Sequence, residues 1–339
     1  MKMKQETNAD SENELIEKIY EQRVIGNRDE KNAALSASLF VNECPKKGRY
    51  VEAKDNIKAG EVLLQETPFA AWIKPSLIKT YCNHCFKRLK TCDIYCARCE
   101  NIFYCSLKCH DESSFQYHQT ECNFLSLFRL LSKGQLALRV VFKANIEQLF
   151  SENEMKIESK SSEDVGEYEK IFDLVDHLRE CTYTNLMFDV FGAIFLSLLL
   201  KKLSLIDDKS VLIVGKVLLK HLLQINMNGI QIMEQRIADV QQLPSGEIIY
   251  KIESLEDSKG LGLYTNISLV NHSCYNVTKS LFNGNQLSLV AIADLGKGDE
   301  ITYNYGPHYK FMPKSERQTF LRDFYYFDCE CKACIEDWF

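Results

Sequence analysis

The sequence GLGLYTNISLVNHSC occupies residues 260–274 and gives the strongest indication of the architecture of this 339-residue chain. A second informative stretch, GDEITYNYG, occupies residues 298–306. Considered singly, the first is typical of a polar loop and the second of a strand end. β-like runs return in this part of the chain from residue 248 onward, at 287–293 and 301–305. The meaning of the two stretches therefore depends on the segments around them.

The composition is that of a globular protein. Hydrophobic residues make up 45% and charged residues 26% of the chain, and its 15 glycines and 6 prolines are too few for a collagen-like or proline-rich architecture. The 41 Lys and Arg against 47 Asp and Glu leave a net charge of −6, which disfavours attraction of the whole surface to polyphosphate. Residues 1–22 contain no apolar segment typical of a signal peptide. We therefore expect a cytoplasmic or nuclear protein with reduced thiols.

The N-terminal part divides into a polar extension and a small sheet. Residues 1–35 are polar except for a short periodic stretch at 15–20, which predicts one or two fraying helical turns. Short β-like runs follow at 38–41, 50–53 and 61–64, with proline and glycine between them. These runs predict a small antiparallel sheet.

Residues 124–233 predict a mainly helical region. Its acidic, serine-containing part at 151–170 predicts a loop. The apolar segment 186–200 includes Asp189 and is followed by two lysines, and it is shorter than the ~18 residues needed to span a bilayer. We therefore predict a buried helix in this segment and no association with a membrane.

Cysteine and histidine dominate residues 81–122. Eight soft ligands form four pairs there, spaced CxxC, CxxC, CxxxC and HxxxC. A two-residue gap lets both thiolates of a pair reach one ion, and structural Zn²⁺ prefers four sulfur or nitrogen ligands in a closed tetrahedral site. We therefore predict two zinc ions, whose binding supplies folding free energy in place of a core. The ligands are Cys82, Cys85, Cys96, Cys99, Cys105, Cys109, His118 and Cys122.

A second cysteine cluster lies near the end of the sequence. Cys329, Cys331 and Cys334 offer three ligands, so a metal ion there needs a fourth from elsewhere. Removing these three and the seven cysteines among the predicted finger ligands from the 14 in the chain leaves four candidates, and spacing alone does not choose among them. The candidates are Cys44, Cys92, Cys181 and Cys274.

Taken together, these segments closely resemble the SET and MYND domain (SMYD) family of protein-lysine methyltransferases. The resemblance runs in family order from about Lys47 to Cys334, and in both cases a MYND zinc finger interrupts the SET fold. The sequence KGRYVEA at residues 47–53 resembles the branch whose longer members carry tetratricopeptide helices upstream. The resemblance implies an α+β fold, in which a SET-domain β-fold is split by a MYND zinc finger and a helical insert and is followed by a zinc-bound, cysteine-rich post-SET tail.

The resemblance also implies how the chain is divided. The expected parts are a polar N-terminal extension at 1–36, the N-terminal part of the SET domain at 37–80, the MYND zinc finger at 81–122, the helical insert at 123–240, the SET core at 241–312 and the post-SET zinc tail at 313–339.

The resemblance implies three structural zinc ions. In the SMYD family the ligand pairs of the finger interleave, so the first pair shares an ion with the third pair and the second with the fourth. The position of Cys274 at the end of the 260–274 stretch implies that it completes the tail site. The implied ligand sets are Cys82, Cys85, Cys105 and Cys109; Cys96, Cys99, His118 and Cys122; and Cys274, Cys329, Cys331 and Cys334.

The resemblance implies that S-adenosyl-L-methionine is the cofactor. Asn271 and His272 match the family's Asn-His pair, which holds both ends of this molecule. Tyr305 matches the SET tyrosine that orients the methyl donor and the lysine amine, so it is the predicted catalytic residue. The implied cofactor-binding residues are Gly48, Arg49, Tyr50, Asn228, Ser268, Leu269, Asn271, His272, Tyr305, Tyr325 and Phe327, and the implied walls of the lysine channel are Tyr303, Tyr305, Tyr325 and Phe327.

The chemistry explains these residue types. In-line methyl transfer from a sulfonium to an amine needs alignment and exclusion of water. An aromatic channel keeps the lysine amine neutral by desolvation, and its ring faces favour the cationic sulfonium. We therefore predict an enzyme that methylates lysine side chains of histone or non-histone proteins. Tyr50 stands where a second glycine is common, and the alternative is a weak or inactive SET scaffold whose finger mediates protein contacts in transcriptional regulation.

The charge of the finger does not favour binding to nucleic acid. Residues 81–122 carry five basic and five acidic side chains, and metal-bound thiolates would add negative charge. We therefore expect no direct DNA binding, and a peptide or protein partner at the finger surface. The other expected partner is a protein substrate with a target lysine, and we expect the chain to be a monomer.

Overall fold

The computed structural model describes residues 25–144, 166–242 and 248–339. The predicted turns at 15–20 and most of the predicted loop at 151–170 lie outside these residues. The described residues combine small β-sheets with a group of helices inserted between the sixth and seventh strands. This arrangement confirms the predicted α+β class.

The strands are short near both ends of the chain and long in its middle. They are β1 (Leu39–Cys44), β2 (Gly48–Ala53), β3 (Val62–Glu66), β4 (Ala70–Ile73), β5 (Ile94–Tyr95), β6 (Phe103–Tyr104), β7 (Gly229–Gln242), β8 (Ile248–Leu263), β9 (Asn271–His272), β10 (Thr278–Asn283), β11 (Gln286–Ala291) and β12 (Glu300–Tyr303).

The sheets join distant parts of the sequence. One sheet has the order β1-β2-β12-β9, a second β10-β11-β3 and a third β4-β8-β7, and β5 pairs with β6. Most neighbouring strands are antiparallel, whereas β12 and β9 run parallel. Strand β2 pairs with β12, and β3 pairs with β11. The strands that precede the finger are therefore hydrogen-bonded to strands that follow the helical insert.

The strands bury one face in a common core. Val51 and Ala53 of β2 are fully buried, with the period of two that a half-buried strand requires. Val51 lies opposite Ile301 of β12, which is also fully buried. Burial of each valine or isoleucine side chain contributes about 1.5–3 kcal/mol. This packing fixes β12, which leads directly into the predicted catalytic segment.

The helices lie mainly in the insert. They are α1 (Leu107–Ser113), α2 (Gln119–Glu121), α3 (Leu125–Phe128), α4 (Lys133–Lys143), α5 (Glu167–Phe172), α6 (Tyr183–Lys202), α7 (Val211–Asn228), α8 (Lys314–Tyr325) and α9 (Lys332–Ile335). Short 3₁₀ or π turns are found at Pro75–Leu77, Ser114–His118, Cys122–Phe124, Arg129–Leu131 and Ile267–Leu269.

A second core and a buried ion pair hold the insert and the finger against the sheets. Leu136 of α4, Leu200 of α6 and Leu218 of α7 are fully buried in this core. The Glu121 carboxylate at the end of the finger accepts hydrogen bonds from Nε and Nη2 of Arg139 at 2.8 and 2.9 Å. Arg139 also donates to the carbonyl oxygen of Ala71, at 2.7 Å. One side chain therefore connects the finger, the insert and β4.

The predicted end of the helical region is wrong. Helix α7 ends at Asn228, and Gly229 begins β7 instead of continuing the helix toward residue 233. A Cβ atom at Gly229 would approach the carbonyl oxygen of Ile225 to 2.4 Å, so only glycine fits this sharp change of direction. Pairing with β8 then fixes residues 229–242 as a strand.

The apolar segment at 186–200 is helical but is not the buried helix that the sequence predicts. Helix α6 runs for 20 residues, from Tyr183 to Lys202. Within the described ranges it is the one helix long and apolar enough, by length and composition, to cross a membrane, and only 28% of its apolar window is buried. The prediction failed because the segment is apolar all round, whereas α4 and α7 cover one side of it.

Candidate active site

The parallel pairing of β9 with β12 creates the centre of the site. Asn271 lies beside Thr302 and His272 beside Tyr303 in this pairing. The Asn271 side chain donates to the Glu300 carboxylate at 3.2 Å, so it bridges β9 and β12. The two stretches singled out in the sequence are therefore adjacent in space.

A buried carboxylate that sequence reasoning missed holds the loop before β9. Glu66, at the end of β3, accepts hydrogen bonds from the backbone N–H groups of Asn266 at 3.1 Å and Ile267 at 2.6 Å. Burial raises the pKa of Glu66 above its ordinary value, and these hydrogen bonds oppose that shift. Ser268 donates to the carbonyl oxygen of Tyr264 at 2.7 Å. These bonds fix the turn that carries Ser268 and Leu269, both predicted cofactor residues.

His272 connects the predicted catalytic segment to the tail cysteines. Its Nδ1 accepts a hydrogen bond from the backbone N–H of Tyr305 at 3.0 Å, and its Nε2 lies 3.3 Å from Sγ of Cys274. Burial lowers the pKa of His272 to about 4, so the ring is neutral at pH 7. Because Nδ1 is the acceptor, the single ring proton is on Nε2 and faces the sulfur.

Tyr305 follows β12 and is oriented by Val270. Its hydroxyl donates to the Val270 carbonyl oxygen at 2.8 Å. Its ring centroid lies 5.2 Å from that of His272 and 5.0 Å from that of Tyr325. Burial raises the pKa of Tyr305 and raises that of Tyr325 to about 12, so both phenols remain protonated at neutral pH.

The remaining predicted channel residues lie in the same aromatic cluster. The ring of Tyr303 is 6.1 Å from that of Tyr305, and the ring of Phe327 is 6.1 Å from that of His272. Burial raises the pKa of Tyr303. Tyr305 and Phe327 therefore contact the histidine ring, and Tyr303 and Tyr325 join the cluster through Tyr305.

Arg49 and Asn228 converge on a loop that the sequence analysis did not single out. Nη2 of Arg49 donates to the carbonyl oxygen of Asp173, and Nδ2 of Asn228 donates to that of Val175, each at 2.8 Å. The ring of His177 lies 5.6 Å from that of Tyr326, which stands between the predicted channel residues Tyr325 and Phe327 in the sequence. The loop is short and carries no motif, and the only sequence signal was its position between two helical segments.

The start of β2 places the other predicted cofactor residues. Gly48 has φ of +65°, a conformation that favours glycine. Tyr50 pairs with Asn42 of β1, and the ammonium group of Lys47 lies 5.2 Å from the centre of its ring. Tyr50 is therefore in contact with a basic side chain at the edge of the site.

A cavity of about 420 Å³ adjoins the 173–177 loop. Met227 and Tyr326, which line it, are direct sequence neighbours of Asn228 and Phe327. Such a volume is typical of a small-molecule site. Further lining residues are Lys133, Asp176, Cys181, Asn185, Asp189 and Asn226.

The structure also brings together the three predicted metal-ligand sets. Within each set the ligand atoms lie within 4.8 Å of one another, so each set could hold a metal ion. Four sulfur atoms at the Zn–S bond length of ~2.3 Å from a tetrahedral centre lie about 3.8 Å apart. The sets are Cys82, Cys85, Cys105 and Cys109; Cys96, Cys99, His118 and Cys122; and Cys274, Cys329, Cys331 and Cys334.

The measured separations fit this geometry. Sγ of Cys105 lies 3.4 Å from that of Cys85 and 3.6 Å from that of Cys109. In the tail set, Sγ of Cys274 lies 4.0 Å from that of Cys329 and 3.6 Å from that of Cys334. Of the four candidates for the fourth tail ligand, Cys274 is the one that joins this set.

Residues 48–306 match the model of the SET domain, which covers about three quarters of the chain. The chain belongs to the SET-domain family. Its curated relatives confirm the resemblance to the SMYD proteins. Mouse (Mus musculus) protein-lysine N-methyltransferase SMYD4 is 28% identical over 90% of this chain and 47% of its own length. Human (Homo sapiens) histone-lysine N-methyltransferase SMYD3 is 27% identical over 85% and 59%, and human N-lysine methyltransferase SMYD2 is 23% identical over 86% and 58%.

This SET-domain chain spans about half the length of the curated SMYD4 relatives that it matches. A crystal structure of the SET domain of LSMT bound to lysine and AdoHcy covers 87% of the chain at 13% identity. That structure contributes 54% of its own chain to the match, with a TM-score of 0.37, which is too low to support an argument about the site.

Proposed function

We propose that this chain is a protein-lysine N-methyltransferase that uses S-adenosyl-L-methionine. The observation that carries the proposal is the cluster of aromatic rings around Tyr305, held between His272 and Tyr325 at centroid distances of 5.2 and 5.0 Å. Such a cluster suits a lysine side chain whose amine is uncharged. It lies where the stretches 260–274 and 298–306 pair through β9 and β12. The names of the SMYD relatives agree with this activity.

The residues fit the proposed cofactor. When bound, S-adenosylmethionine supplies a cationic sulfonium with a transferable methyl group. Asn271 and His272 would hold its amino-acid and adenosyl ends, whereas the 420 Å³ cavity is lined by other residues than the predicted cofactor set. Arg49 and Asn228 support the wall of this region through the 173–177 loop.

Tyr305 would act on the lysine amine through its oxygen. Because its hydroxyl hydrogen is donated to Val270, the oxygen lone pairs are available to accept a hydrogen bond from an amine N–H. The raised pKa of Tyr305 keeps this phenol neutral, so it adds no counter-charge that would favour protonated lysine. Desolvation between Tyr325 and Phe327 lowers the lysine pKa further and excludes water from the transfer.

We also propose that the three ligand sets bind zinc ions with structural roles. Each set is closed by four protein ligands, as structural zinc sites are. The tail ion would hold the chain that carries Tyr325 and Phe327 against Cys274, next to His272. The finger surface would bind a peptide or protein partner, in agreement with its balanced charge.

A calorimetric titration of the full chain with S-adenosylhomocysteine tests the proposal against an inactive scaffold. We expect saturable heat with one site per chain, and loss of that heat in Asn271→Ala, which removes a side chain at the centre of the site. Asn56→Ala is the matched control, since Asn56 is exposed and belongs to none of the predicted site residues. Absence of saturable heat in the wild-type chain would leave only the scaffold function.

A further inference from the structure

The amide group of Asn271 is bound at its nitrogen and open at its oxygen. Its Nδ2 donates hydrogen bonds to Oε1 of Glu300 at 3.2 Å and to the carbonyl oxygen of Lys47 at 3.4 Å. Within residues 25–144, 166–242 and 248–339, no protein group bonds to its Oδ1, and this oxygen is not one of the buried polar atoms that lack a partner. Asn271 is half-buried, so its Oδ1 is accessible to a ligand.

The two contacts decide which end of the amide faces a ligand. A carboxylate and a backbone carbonyl accept hydrogen bonds and do not donate them. If the Asn271 amide were turned by half a rotation, its oxygen would face these two acceptors and be repelled by both. The contacts therefore hold Nδ2 toward the protein and leave Oδ1 as an acceptor. A ligand group at this position must be a donor, such as an ammonium group.

Lys47 holds the Glu300 carboxylate from the other side. Its Nζ lies 2.6 Å from Oε2 of Glu300, so each carboxylate oxygen has a partner of its own. The hydrogen bond to Glu300 raises the pKa of Lys47 above its ordinary value, which keeps the ammonium group protonated at neutral pH. This ammonium group also lies 5.2 Å from the centre of the Tyr50 ring, within the range of a cation–π contact.

The sheet explains why Glu300 reaches both partners. Lys47 directly precedes β2, Glu300 begins β12 and Asn271 begins β9. Strand β12 lies between β2 and β9 in the sheet. Because neighbouring strands are about 4.8 Å apart, one glutamate side chain on the central strand can contact residues on both sides. An ion pair that served stability alone would not need the third contact, to Asn271.

We propose that Glu300 is a positioning residue for the cofactor. It orients the Asn271 amide so that Oδ1 accepts a hydrogen bond from the α-ammonium group at the amino-acid end of S-adenosylmethionine, and Lys47 holds Glu300 in this role. The inference rests on the proposed function, because it requires this cofactor to bind at Asn271. It gives a role to Lys47 and Glu300, which the sequence analysis did not select as site residues.

Calorimetric titration of the full chain with two ligands tests the inference. One is S-adenosylhomocysteine, and the other is its deaminated analogue, in which hydrogen replaces the α-amino group. Glu300→Gln should bind S-adenosylhomocysteine about tenfold more weakly than the wild type does. The reason is that Lys47 attracts the oxygen of the new amide, whose NH₂ group then faces Asn271 and turns its amide round. The analogue should bind Glu300→Gln and the wild type equally, within twofold.

A matched control and a second variant support this comparison. Asp294→Asn should leave both affinities unchanged, since Asp294 forms a similar pair with Lys58, at 2.7 Å, and neither belongs to the predicted site. Lys47→Met removes the support of Glu300 and should weaken binding of S-adenosylhomocysteine about threefold, again without effect on the analogue. The dependence on the ammonium group can therefore be measured even if Glu300→Gln fails to fold.

Charge exchange separates orientation from stability. Lys47→Glu combined with Glu300→Lys restores an ion pair, so the free energy of unfolding in urea should stay close to that of the wild type. The affinity for S-adenosylhomocysteine should still be at least tenfold lower, because the ammonium group introduced at position 300 cannot accept a hydrogen bond from Asn271.

Three results would overturn the inference and leave the proposed function standing: wild-type affinity in Glu300→Gln, an equal loss for both ligands, or wild-type affinity in the charge-exchanged variant. Absence of S-adenosylhomocysteine binding in the wild type would refute the proposed function, and the inference with it.

Discussion

The guanidinium group of Arg317 lies 3.8 Å from Sγ of Cys334, and both side chains are buried. Arg317 also donates to the carbonyl oxygens of Met312, Ala333 and Trp338, at 2.7, 3.2 and 2.9 Å. Four thiolates around one Zn²⁺ leave a net negative charge, which is costly to bury without an opposite charge beside it. Arg317 would supply that charge to the proposed ion, and it joins Met312, just before the tail, to Ala333 and Trp338 within it.

Replacement of Arg317 should therefore loosen the tail metal. We expect Arg317→Met to release the tail zinc to a colorimetric chelator at least tenfold faster than the wild type, because the thiolates lose their buried counter-charge. Arg322→Met is the matched control, since Arg322 is exposed and pairs with Asp328 at the surface. Equal release rates in the two variants would show that Arg317 does not stabilise the metal.

The zinc content should depend on Cys274. Elemental analysis should find three zinc ions per chain in the wild type and two in Cys274→Ser, because the tail set would keep only three thiolates. Cys92→Ser should keep three, since Cys92 is exposed and belongs to none of the ligand sets. A wild-type content of two or fewer would exclude the tail site.

The buried carboxylate of Glu66 should control cofactor affinity. Glu66→Gln keeps the shape but can accept hydrogen bonds on only one oxygen, so the N–H groups of Asn266 and Ile267 lose part of their support. We expect S-adenosylhomocysteine to bind about tenfold more weakly, by calorimetry. Glu61→Gln, in the loop before β3, should leave the affinity unchanged. Wild-type affinity in Glu66→Gln would mean that the loop is held by its other contacts.

Sequence reasoning selected the three cysteine-containing sets and the aromatic residues that the structure brings together, because these residue types occur at family-specific spacings. The spacing of Cys329, Cys331 and Cys334 predicted three ligands, and the family resemblance selected Cys274. Tyr305 was selected in the same way, but its hydrogen bond to Val270 depends on the parallel pairing of β9 and β12. Pairing between strands so far apart leaves no local signal in the sequence.

Other features depend on tertiary context in the same way. The role of Glu66 arises because the folded chain brings β3 beside a loop about 200 residues further on. The exposure of Phe191 depends on which side of α6 the neighbouring helices cover. Composition showed that α6 is apolar, but a helix that is apolar all round has no periodicity to indicate its buried side.

Acid should destabilise the fold through His221. This side chain is fully buried in α7, and its Nδ1–H donates to Gln224 at 2.9 Å while its Nε2 lies 3.1 Å from the Tyr168 hydroxyl. Burial lowers the pKa of His221 to about 4. The unfolded chain takes up this proton near pH ~6.5 and the folded chain only near pH 4, so stability falls as the pH decreases across this window, by up to about 3 kcal/mol.

Urea unfolding between pH 7 and 4 measures this effect. The free energy of unfolding should fall less steeply with decreasing pH in His221→Leu than in the wild type, even though the variant is less stable at pH 7. The comparison of slopes removes the contributions of the metal ligands, which are common to both proteins. Parallel slopes would show that His221 is not the responsible group.

Removal of the Tyr305 hydroxyl should impair catalysis with little effect on folding. Tyr305→Phe keeps the ring contacts with His272 and Tyr325 and loses one hydrogen bond, which contributes about 0.5–1.5 kcal/mol to stability. We expect kcat to fall about 100-fold, because the amine loses its acceptor in an otherwise apolar wall. Tyr275→Phe, a half-exposed tyrosine near the tail, should retain wild-type turnover.

The most direct test of the proposed activity is transfer of a radiolabelled methyl group from S-adenosylmethionine to histones and to proteins of a cell extract, followed by mapping of the labelled residue. We expect the label on lysine side chains, at a rate that rises with pH as the target amine loses its proton. Tyr305 and Tyr325 should both stay protonated near neutral pH, since burial raises both phenol pKa values. Absence of label on lysine, in a chain that binds S-adenosylhomocysteine and holds its zinc, would contradict the account.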